Sequence, residues 1–381
     1  MIGNGFMGAA HSQGWRVAPR FFDLPHTPEM TVMVGRDPDK NATLAQKWGW
    51  LETAGDYREV IERDDIDIID IVTPGDTHAE IAIAALEAGK HVLCEKPLAN
   101  SVDEAQRMAD AAKAARKNGA MAMVGFTYRR VPAATFARDL VARGAVGEVR
   151  QVRAQYLQDW LSDPEAPLTW RMDKSKAGSG ALGDIGAHAI DMAQFITGTE
   201  LTTVSGLLET FVTERPTMGE SQGLSGTAGS ERGPVTVDDL ALFNARFTSG
   251  AVGSFEATRY STGRKNALRV EVSGDKGAIL FDLEDMNALQ YYDATAPATE
   301  QGFKRIFVTE GDHPYMAAWW PPGHMIGYEH GFSHQVKDLV EGISSGTDPR
   351  PSFADGLQVQ RVLDSVERSA GDGSAWTATT A

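Results

Sequence analysis

The sequence predicts two domains of different class: an α/β domain with a doubly wound parallel sheet, followed by a domain with an open, predominantly antiparallel sheet. In the first part of the chain, short β-branched runs alternate with helical segments, a pattern typical of parallel sheets. After about residue 149, strands follow one another with few helices between them. Because 381 residues exceed the roughly 100–200 that one domain usually spans, we place the domains at residues 1–126 and 127–381.

Composition and charge narrow the classes of partner. The 52 acidic and 36 basic residues give a formal charge of −16, which repels nucleic acid and anionic membrane surfaces. The single cysteine, Cys94, cannot form an intramolecular disulfide and fits a reducing compartment. No apolar run approaches the roughly 20 residues of a bilayer crossing, and no signal segment opens the chain. We therefore expect a cytoplasmic protein that binds neither nucleic acid nor a membrane.

The first functional pattern along the chain is a glycine turn formed by Gly3, Gly5 and Gly8, with Phe6 and Met7 inside it. Such a turn at a helix N-terminus lets backbone N–H groups approach the pyrophosphate of a dinucleotide. An ordinary glycine-rich turn explains this pattern alone equally well. The apolar strand that should precede the turn is missing, so we expect the first strand to be absent or a stub, or the chain to start inside a longer reading frame.

The end of the second predicted strand, at residues 29–34, bears on the choice of cofactor. An acid at this point binds the ribose 2′-hydroxyl of NAD, whereas a neutral residue followed by arginine accommodates the 2′-phosphate of NADP. Gly35 and Arg36 occupy the position, which favours NADP slightly over NAD. Two alternatives stay open: Arg36 is a solvated loop residue, or Asp37 serves NAD.

Three further strands of the first domain are predicted at residues 66–72, 90–94 and 121–126. Ligands of doubly wound sheets bind at the carboxyl ends of the strands. The candidate cofactor residues at these ends are Thr73, Pro74, His78, Glu95 and Lys96. His78 fits a cofactor contact and a surface histidine equally well. A proline directly after Lys96 stiffens its loop and favours a functional role for the lysine.

The second domain is predicted from strands at residues 149–158, 204–212, 240–247 and 253–260, and from a strand pair over residues 268–282. Residues 213–234 are rich in glycine and serine, which predicts a long mobile loop. The last helices are predicted at residues 328–343 and 353–369, and we expect them to pack back.

The candidate catalytic residues of the second domain lie on a helix that follows a glycine-rich turn. Asp184 and His188 are four residues apart and therefore lie on one face of this helix. A helix-capping aspartate and a buried structural histidine explain the same pair equally well. Asp191 follows one turn later, as a solvated acid or as a partner that orients the imidazole. No metal-ligand spacing is convincing, since His330 and His334 lack the HExxH pattern.

The segments Glu95–Pro97 and Gly183–His188 together resemble the Gfo/Idh/MocA family, the glucose–fructose oxidoreductases and inositol dehydrogenases. The resemblance covers nearly the whole chain. It implies a Rossmann domain followed by an open sheet domain, one face of which covers the cofactor while the other mediates oligomerisation. It also implies that Lys96, Asp184 and His188 are the catalytic set.

Several further stretches are similar to one branch of this family, which oxidises a secondary hydroxyl of an anhydrosugar with NAD. They are Tyr128–Pro132, Tyr156–Trp160, Ser179–Asp184 and Pro351–Gly356. Two positions depart from that branch. Gly35 replaces the acid expected after the second strand, which affects the preference for NAD, and Thr127 replaces an asparagine, which affects the substrate.

The residue types suggest a mechanism for such an oxidation. His188 takes the hydroxyl proton while hydride passes to nicotinamide, since a neutral imidazole is a suitable base near neutrality. Lys96 stabilises the developing alkoxide. Asp184 binds sugar hydroxyls or fixes the imidazole tautomer. The predicted walls of the sugar pocket are Tyr128, Trp160, Trp170 and Arg171, although packing explains the tryptophans equally well.

The sequence therefore predicts an NAD(P)-dependent dehydrogenase that oxidises a secondary hydroxyl of a sugar, anhydrosugar or cyclitol. A keto-sugar reductase would use the same residues in the opposite direction. A dinucleotide-binding sensor without activity is the alternative from a different class, and the presence of Lys96, Asp184 and His188 argues against it. The resemblance further implies a homo-oligomer, a dimer or a tetramer, that assembles through the second sheet.

Overall fold

The computed structural model describes residues 1–222 and 225–380, and the chain forms two compact units. The first comprises Met1–Thr127 and Gly327–Gln360, and the second comprises Tyr128–Ile326 and Arg361–Ala381. In chain order the helices are α1 (Phe6–Phe21), α2 (Pro38–Trp48), α3 (Tyr57–Ile61), α4 (His78–Glu87), α5 (Val102–Ala115), α6 (Pro132–Ala142), α7 (Lys174–Ala177), α8 (Ala187–Thr197), α9 (His330–Ser345) and α10 (Phe353–Gly371). None of the helices in the described ranges has both the length and the apolar composition that a membrane crossing needs.

The strands are likewise numbered in chain order. They are β1 (Val32–Val34), β2 (Glu52–Ala54), β3 (Ile68–Ile71), β4 (His91–Cys94), β5 (Ala122–Val124), β6 (Val149–Leu157), β7 (Leu201–Glu209), β8 (Glu214–Gln222), β9 (Ser225–Pro234), β10 (Leu240–Phe247), β11 (Val252–Thr258), β12 (Ala267–Gly274), β13 (Gly277–Asp282), β14 (Ala288–Asp293), β15 (Lys304–Phe307) and β16 (Thr377–Ala378).

The first unit contains a parallel sheet with the order β2, β1, Ile2, β3, β4 and β5. Ile2 forms parallel bridges to Val34 at the end of β1 and to Ile71 at the end of β3. The chain thus begins in the middle of the sheet, and strands are added first on one side and then on the other. In this order a ligand site forms where the direction of strand addition reverses. The prediction of a doubly wound parallel sheet is confirmed.

The first strand is reduced to the bridge at Ile2, as the missing apolar residues predict. Ile2 donates its N–H to the Asp70 carbonyl at 2.7 Å and accepts the Val72 N–H at 3.0 Å. The chain then enters the glycine turn directly, with the Gly3 N–H donating to the Val34 carbonyl at 3.0 Å. The turn is consequently held at the carboxyl ends of β1 and β3.

Residues 327–360 complete the first unit, although the sequence division places everything after residue 126 in the second domain. Helix α9 packs against α1 through one apolar cluster, which includes Trp15, Ala18, Val336, Leu339 and Val340. Gly14 permits the close approach, since a Cβ there would lie 2.8 Å from the Phe332 carbonyl oxygen. The sequence analysis expects the last helices to pack back, but α1 and α9 are so distant in sequence that no local pattern names the helix that α9 contacts.

The second unit is organised around a nine-stranded sheet with the order β15, β14, β13, β12, β6, β11, β10, β7 and β16. Strands β6 and β11 run parallel, and the other neighbours are antiparallel. The predicted strands correspond to β6, β7, β10, β11 and the β12–β13 hairpin, so the open, mostly antiparallel sheet is confirmed. The prediction omits β14, β15 and β16, which lie at or next to the sheet edges.

Helices cover one face of this sheet. Helix α8 packs against β6, β11 and β12, while α6 packs against β13 and β14. Residues alternate along β10, where Ala241, Phe243 and Ala245 are buried and Leu242 is 37% exposed. Leu242 pairs across the strands with Leu207 on β7, which is 48% exposed. The other face of the sheet therefore carries exposed apolar side chains.

The prediction of a long mobile loop at residues 213–234 is wrong. Strands β8 and β9 form an antiparallel hairpin there, and residues 223 and 224 lie outside the described residues. Arg215 anchors the hairpin, since its buried guanidinium donates to the carbonyl oxygens of Asp163 and Leu161 at 2.7 Å each. A composition rich in glycine and serine gives no sign of such an anchor.

Candidate active site

The glycine turn has a shape that fits a dinucleotide phosphate. Gly3 has a φ of +107°, and a Cβ there would lie 3.0 Å from the Val72 carbonyl oxygen. A Cβ on Gly8 would lie 3.0 Å from the Gly3 carbonyl oxygen, so the turn leaves little room for a side chain at either position. Gly5 precedes α1 without a side-chain cap, and a Cβ there would meet nothing within 4 Å. Uncapped N–H groups beside open space can receive pyrophosphate oxygens.

Phe6 and Met7 at the start of α1 have different environments. Phe6 is 47% exposed and stacks on Tyr328, with 6.5 Å between the ring centroids. Met7 packs against a buried cluster that includes Met33 and Val72. Phe6 is accordingly available to a ligand at the turn, whereas Met7 contributes to the core.

The position expected to bind the adenosine ribose is crowded at Gly35 and open at Arg36. A Cβ on Gly35 would lie 2.5 Å from Asn4 Nδ2 and 2.6 Å from Asn41 Oδ1, so an acidic side chain does not fit without a shift of these amides. Arg36 is exposed, and Asp37 caps α2 by accepting a backbone N–H at 3.0 Å. The neighbourhood thus offers amide groups and an exposed guanidinium, and the preference between NAD and NADP stays a prediction.

His78 joins the loop after β3 to the loop after β4. Its Nε2 lies 2.9 Å from the Thr73 carbonyl oxygen and its Nδ1 lies 3.0 Å from the Pro97 carbonyl oxygen. The residue is only 1% exposed, so its interpretation as a surface histidine is wrong. Pro74, between Thr73 and the start of α4, is exposed and remains accessible to a ligand.

Lys96 is half-buried in the loop after β4, and its neighbour Glu95 belongs to a buried charge cluster. Glu95 Oε1 lies 3.0 Å from His11 Nε2, and Glu95 Oε2 accepts the Lys96 N–H at 3.3 Å. His11 Nδ1 lies 2.9 Å from Asp70 Oδ1. Burial alone would lower the pKa of His11, but Asp70 and Glu95 outweigh this effect and raise the pKa to about 10. His11 is therefore a buried imidazolium at neutral pH.

In the second unit, Asp184 and His188 lie on consecutive turns of one helical segment. Leu182–Gly186 form a π-helical turn that continues into α8, and such turns are frequent at functional sites. The start of the segment is capped by Asp238, whose carboxylate accepts the N–H groups of Gly180 and Leu182 at 2.7 Å each. The cap is thus supplied by the residues that precede β10, and not by Asp184.

Arg259, directly after β11, holds the Asp184 carboxylate. Its Nη2 donates to Asp184 Oδ2 at 2.9 Å and to the Gly180 carbonyl oxygen at 3.0 Å. The side chain of Arg259 is 1% exposed, whereas that of Asp184 is 28% exposed. Arg259 therefore holds the carboxylate while part of the Asp184 side chain stays exposed, which suits a group that binds substrate hydroxyls.

The predicted pocket residues Trp160 and Arg171 lie near this ion pair. The Trp160 ring centroid is 5.6 Å from the guanidinium carbon of Arg259. Burial lowers the pKa of Arg171, while Asp184 opposes this shift and Arg259 adds to it. The guanidinium carbon of Arg171 lies 4.4 Å from the ring centroid of Trp170, which is 37% exposed. Trp160 thus lies over Arg259, which holds Asp184, and Trp170 lies over Arg171, whose pKa Asp184 influences.

His188 is 8% exposed and packs against two tyrosines. Its ring centroid lies 4.6 Å from that of Tyr128 and 5.8 Å from that of Tyr156. The two tyrosine hydroxyls are 2.9 Å apart, and Tyr156 Oη donates to Asn266 Oδ1 at 2.6 Å. Gln158 donates to the same Asn266 oxygen at 2.8 Å. This network orients the two tyrosine rings that contact the imidazole.

Asp191 belongs to a buried ion pair and is not a solvated acid. It is 1% exposed, and Arg129 Nε lies 3.0 Å and 2.9 Å from its two carboxylate oxygens. The interpretation as a solvated acid on a helix face is therefore wrong. Residues on both faces of α8 are buried. The sequence does not reveal this, because α8 contains polar as well as apolar residues.

Sequence reasoning missed Arg259, Asp238 and Asn266, which complete the second-unit part of the site. Arg259 directly follows β11, Asp238 lies two residues before β10, and Asn266 directly precedes β12. The available signal was a polar residue next to the end of a strand in which apolar and polar residues alternate. That signal does not indicate which partner the side chain meets, because the partners belong to other strands and to the segment before α8.

The histidines and acidic residues were also compared with the arrangements that bind metal ions. Within residues 1–222 and 225–380, no group of three or more His, Cys, Asp and Glu side chains is arranged to hold a metal ion. His330 accepts the Gly327 N–H at 3.0 Å, and His334 contacts the Phe22 ring edge-on at 5.8 Å between centroids.

Comparisons with known proteins identify the family. Residues 1–126 match the oxidoreductase family with an NAD-binding Rossmann fold, and residues 135–280 match the GFO/IDH/MocA C-terminal domain. A levoglucosan dehydrogenase of Pseudarthrobacter phenanthrenivorans is 43% identical over 375 residues, which cover 97% of this chain and 95% of the relative. The chain belongs to the Gfo/Idh/MocA family.

Solved structures of Gfo/Idh/MocA relatives have the same fold. An oxidoreductase domain protein from Kribbella flavida has a TM-score of 0.95 at 61% identity, covering 100% of this chain and 98% of that chain. A levoglucosan dehydrogenase in complex with NADH and levoglucosan has a TM-score of 0.93 at 41% identity, covering 100% of this chain and 98% of that chain. The resemblance found in the sequence is thereby confirmed, and this Gfo/Idh/MocA protein is an oxidoreductase with an NAD-binding Rossmann domain.

Proposed function

We propose that this protein is a dehydrogenase that oxidises a secondary hydroxyl of an anhydrosugar or a related sugar, with NAD as hydride acceptor and Lys96, Asp184 and His188 as catalytic residues. The observation that carries the proposal is one helical segment with a buried His188 that packs against Tyr128 and an Asp184 fixed by Arg259. The 43% identical relative is named a levoglucosan dehydrogenase, and a solved relative binds NADH together with levoglucosan.

The glycine turn would hold the cofactor. Gly3 and Gly8 pack closely, which leaves the N-terminus of α1 open at Gly5 for the pyrophosphate. The exposed Phe6 and Pro74 would contact the rest of the dinucleotide. When bound, NAD supplies the nicotinamide that accepts hydride from the substrate carbon.

His188 would act as the general base of the oxidation. A neutral imidazole has one unprotonated ring nitrogen, which accepts the proton of the substrate hydroxyl. The rings of Tyr128 and Tyr156 restrict rotation of the imidazole, so the accepting nitrogen keeps one direction. Such confinement favours a reactive arrangement over unproductive ones.

Lys96 and Asp184 would act on the oxygen atoms of the sugar. Lys96 would donate a hydrogen bond to the hydroxyl that is oxidised and stabilise the negative charge that develops as its proton leaves. Asp184 would accept hydrogen bonds from neighbouring hydroxyls, with Arg259 holding the carboxylate in one orientation. Trp160 offers an apolar face to the sugar ring, and Arg171 offers further donors.

A substrate panel tests the proposal. Anhydrosugars, aldoses and cyclitols are supplied with NAD and with NADP, and nicotinamide absorbance is followed. We expect reduction of the cofactor by an anhydrosugar such as levoglucosan. A second panel of keto-sugars with the reduced cofactors separates the reductase alternative, which predicts the faster rate there. Binding of NADH without turnover in either panel would contradict the proposed enzyme and favour the sensor.

We also propose that the protein forms a homo-oligomer through the open face of the nine-stranded sheet. Leu207 and Leu242 are exposed on paired positions of β7 and β10, so this face presents apolar surface to solvent in a single chain. Light scattering coupled to gel filtration tests the assembly, and a monomeric mass at micromolar concentration would contradict it.

A further inference from the structure

We propose that His11 and His78 are positioning residues that hold the two sides of the Lys96 loop. This inference rests on the catalytic role proposed above for Lys96. His11 is 2% exposed and His78 is 1% exposed, so both belong to the interior and serve to hold the loop. All contacts involved lie within the first unit, between α1, α4 and the loops after β3 and β4.

The first support runs from α1 through Glu95. His11 Nε2 lies 3.0 Å from Glu95 Oε1, and the other Glu95 oxygen accepts the Lys96 N–H at 3.3 Å. The Glu95 carboxylate thus bridges the imidazole and the main chain of Lys96. Gly125 leaves the space that this carboxylate occupies, since a Cβ there would lie 2.5 Å from Glu95 Oε1. The position of the Lys96 backbone therefore depends on a side chain that His11 orients.

His11 suits this role because both of its ring nitrogens are engaged. Nδ1 lies 2.9 Å and 3.0 Å from the two oxygens of Asp70, and Trp15 Nε1 donates to the same carboxylate at 2.7 Å. Carboxylate oxygens accept hydrogen bonds, so the charged ring donates in both directions. His11 therefore links the end of β3 to Glu95 and resists rotation of either carboxylate.

The second support runs from α4 to Pro97. His78 Nδ1 lies 3.0 Å from the Pro97 carbonyl oxygen, and Nε2 lies 2.9 Å from the Thr73 carbonyl oxygen. Both partners are carbonyl oxygens, which only accept, so a ring nitrogen that carries a proton donates to the loop that it faces. The ring fills the space between the two loops and keeps them apart at a fixed distance. Lys96 is accordingly flanked by one residue held by His11 and by another held by His78.

Glutamine substitutions, made with and without Lys96→Ala, test the inference in the full-length protein. We expect His11→Gln and His78→Gln each to lower kcat about 10- to 100-fold, since a displacement of about 1 Å can cost about 100-fold. In the Lys96→Ala background the same substitutions should change kcat less than about twofold, because the group that they position is absent. Titration of NADH by fluorescence counts the folded sites, and kcat is expressed per site.

His91→Gln is the matched control. His91 lies at the other end of the same strand, β4, where its Nδ1 accepts the Met121 N–H at 3.1 Å. We expect this substitution to leave kcat unchanged. If His11→Gln fails to fold, Glu95→Gln weakens the same bridge with little change of volume, and it should give the same loss of kcat.

The outcomes separate this inference from the proposed function. A Lys96→Ala variant with wild-type kcat overturns the proposed function and this inference together. A low kcat for Lys96→Ala with unchanged kcat for both histidine variants overturns this inference alone. Losses of equal size in the presence and absence of Lys96 also overturn it, because they show that the histidines do not act through the lysine.

Discussion

Ion pairs with at least one buried partner join several side chains of the candidate site at the scale of single residues. In the second unit, Arg259 holds Asp184 and Arg129 holds Asp191. In the first unit, His11 lies between Asp70 and Glu95. Loss of one partner leaves a charge without compensation in a poorly solvated place, which costs more than the loss of an exposed pair. Single substitutions at these pairs should therefore have large and specific effects.

Arg259→Met should weaken the use of sugar without weakening cofactor binding. The substitution removes the donor that fixes the Asp184 carboxylate, and hydrogen bonds to charged groups are worth about 1.5–3 kcal/mol. We expect kcat/KM for the sugar to fall about tenfold or more. Steady-state kinetics measures this effect, and a fluorescence titration with NADH checks that the cofactor still binds.

Arg368→Met provides the control for this prediction. Arg368 on α10 donates to Asp364 at 2.7 Å, so it is an arginine–aspartate pair of the second unit on a helix, and not on the sheet face that we propose as the interface. Its loss should leave kcat/KM within about twofold of the wild type. Equal losses in the two variants would show that Arg259 has only a structural role.

Arg36→Ala tests the choice of cofactor. The exposed guanidinium directly after Gly35 can pair with the 2′-phosphate of NADP, which NAD lacks. We expect kcat/KM for NADP to fall about tenfold or more while that for NAD stays within about twofold. Arg20→Ala, at an exposed arginine near the other end of α1, controls for the loss of a surface charge. Equal losses of kcat/KM for the two cofactors would contradict a role of Arg36 in binding the 2′-phosphate.

At the scale of helices and strands, the elements predicted correctly are those with a strong local pattern. The β-branched runs at residues 66–72 and 90–94 form β3 and β4, and the alternation at residues 240–247 forms β10. Strand β2 was not predicted, because it consists of three residues without an apolar run. The β8–β9 hairpin was not predicted either, since the buried Arg215 that anchors it lies in a segment of loop-like composition.

In the candidate active site, too, only features with a local sequence pattern could be predicted. Asp184 and His188 could be placed on one helix because their spacing is local. Arg259 could not be assigned as the partner of Asp184, because the two residues are 75 positions apart and meet only in the folded sheet domain. For the same reason, the sequence does not indicate that His11 contacts Glu95, the neighbour of Lys96. The two residues are 84 positions apart.

The link between α1, β3 and β4 should make the stability of the protein depend on pH through His11. The folded-state pKa of about 10 exceeds the ordinary value of 6.5, so the ion pairs stabilise fully below about pH 6.5 and this contribution is lost as the pH rises toward 10. The difference in unfolding free energy between wild type and His11→Gln should therefore be larger at pH 6.5 than at pH 10. Urea denaturation at the two pH values measures it.

An exposed histidine gives the control for this pH dependence. His26 lies on the surface, so His26→Gln should leave the stability unchanged at both pH values. A difference between wild type and His11→Gln that stays constant or grows with pH would contradict the charged state assigned to His11.

At the scale of the whole molecule, the chain combines a dinucleotide-binding unit with a sheet unit that presents one open face. The residues that we propose for cofactor binding, at the ends of β1, β3 and β4, belong to the first unit, as does Lys96. Asp184 and His188 belong to the second unit. The open face carries Leu207 and Leu242, away from the helices that cover the other side of the sheet.

Leu242→Arg should dissociate the oligomer that we propose. A charge in the centre of an apolar contact is costly to bury without a partner. We expect light scattering to show a lower mass than for the wild type at the same concentration, with the fold retained in circular dichroism. Leu51→Arg is the control, because Leu51 is an exposed leucine of the first unit, and it should leave the mass unchanged. An unchanged mass for Leu242→Arg would exclude this face as the interface.

The most direct test of the proposed dehydrogenase is the turnover of His188→Ala with the sugar that gives the highest activity in the panel. General base catalysis contributes about 10²–10⁴-fold, so we expect kcat to fall by at least about 100-fold while NADH still binds. His26→Ala, at an exposed histidine, should keep the wild-type rate. A near-wild-type kcat for His188→Ala would contradict the central claim that this histidine accepts the substrate proton.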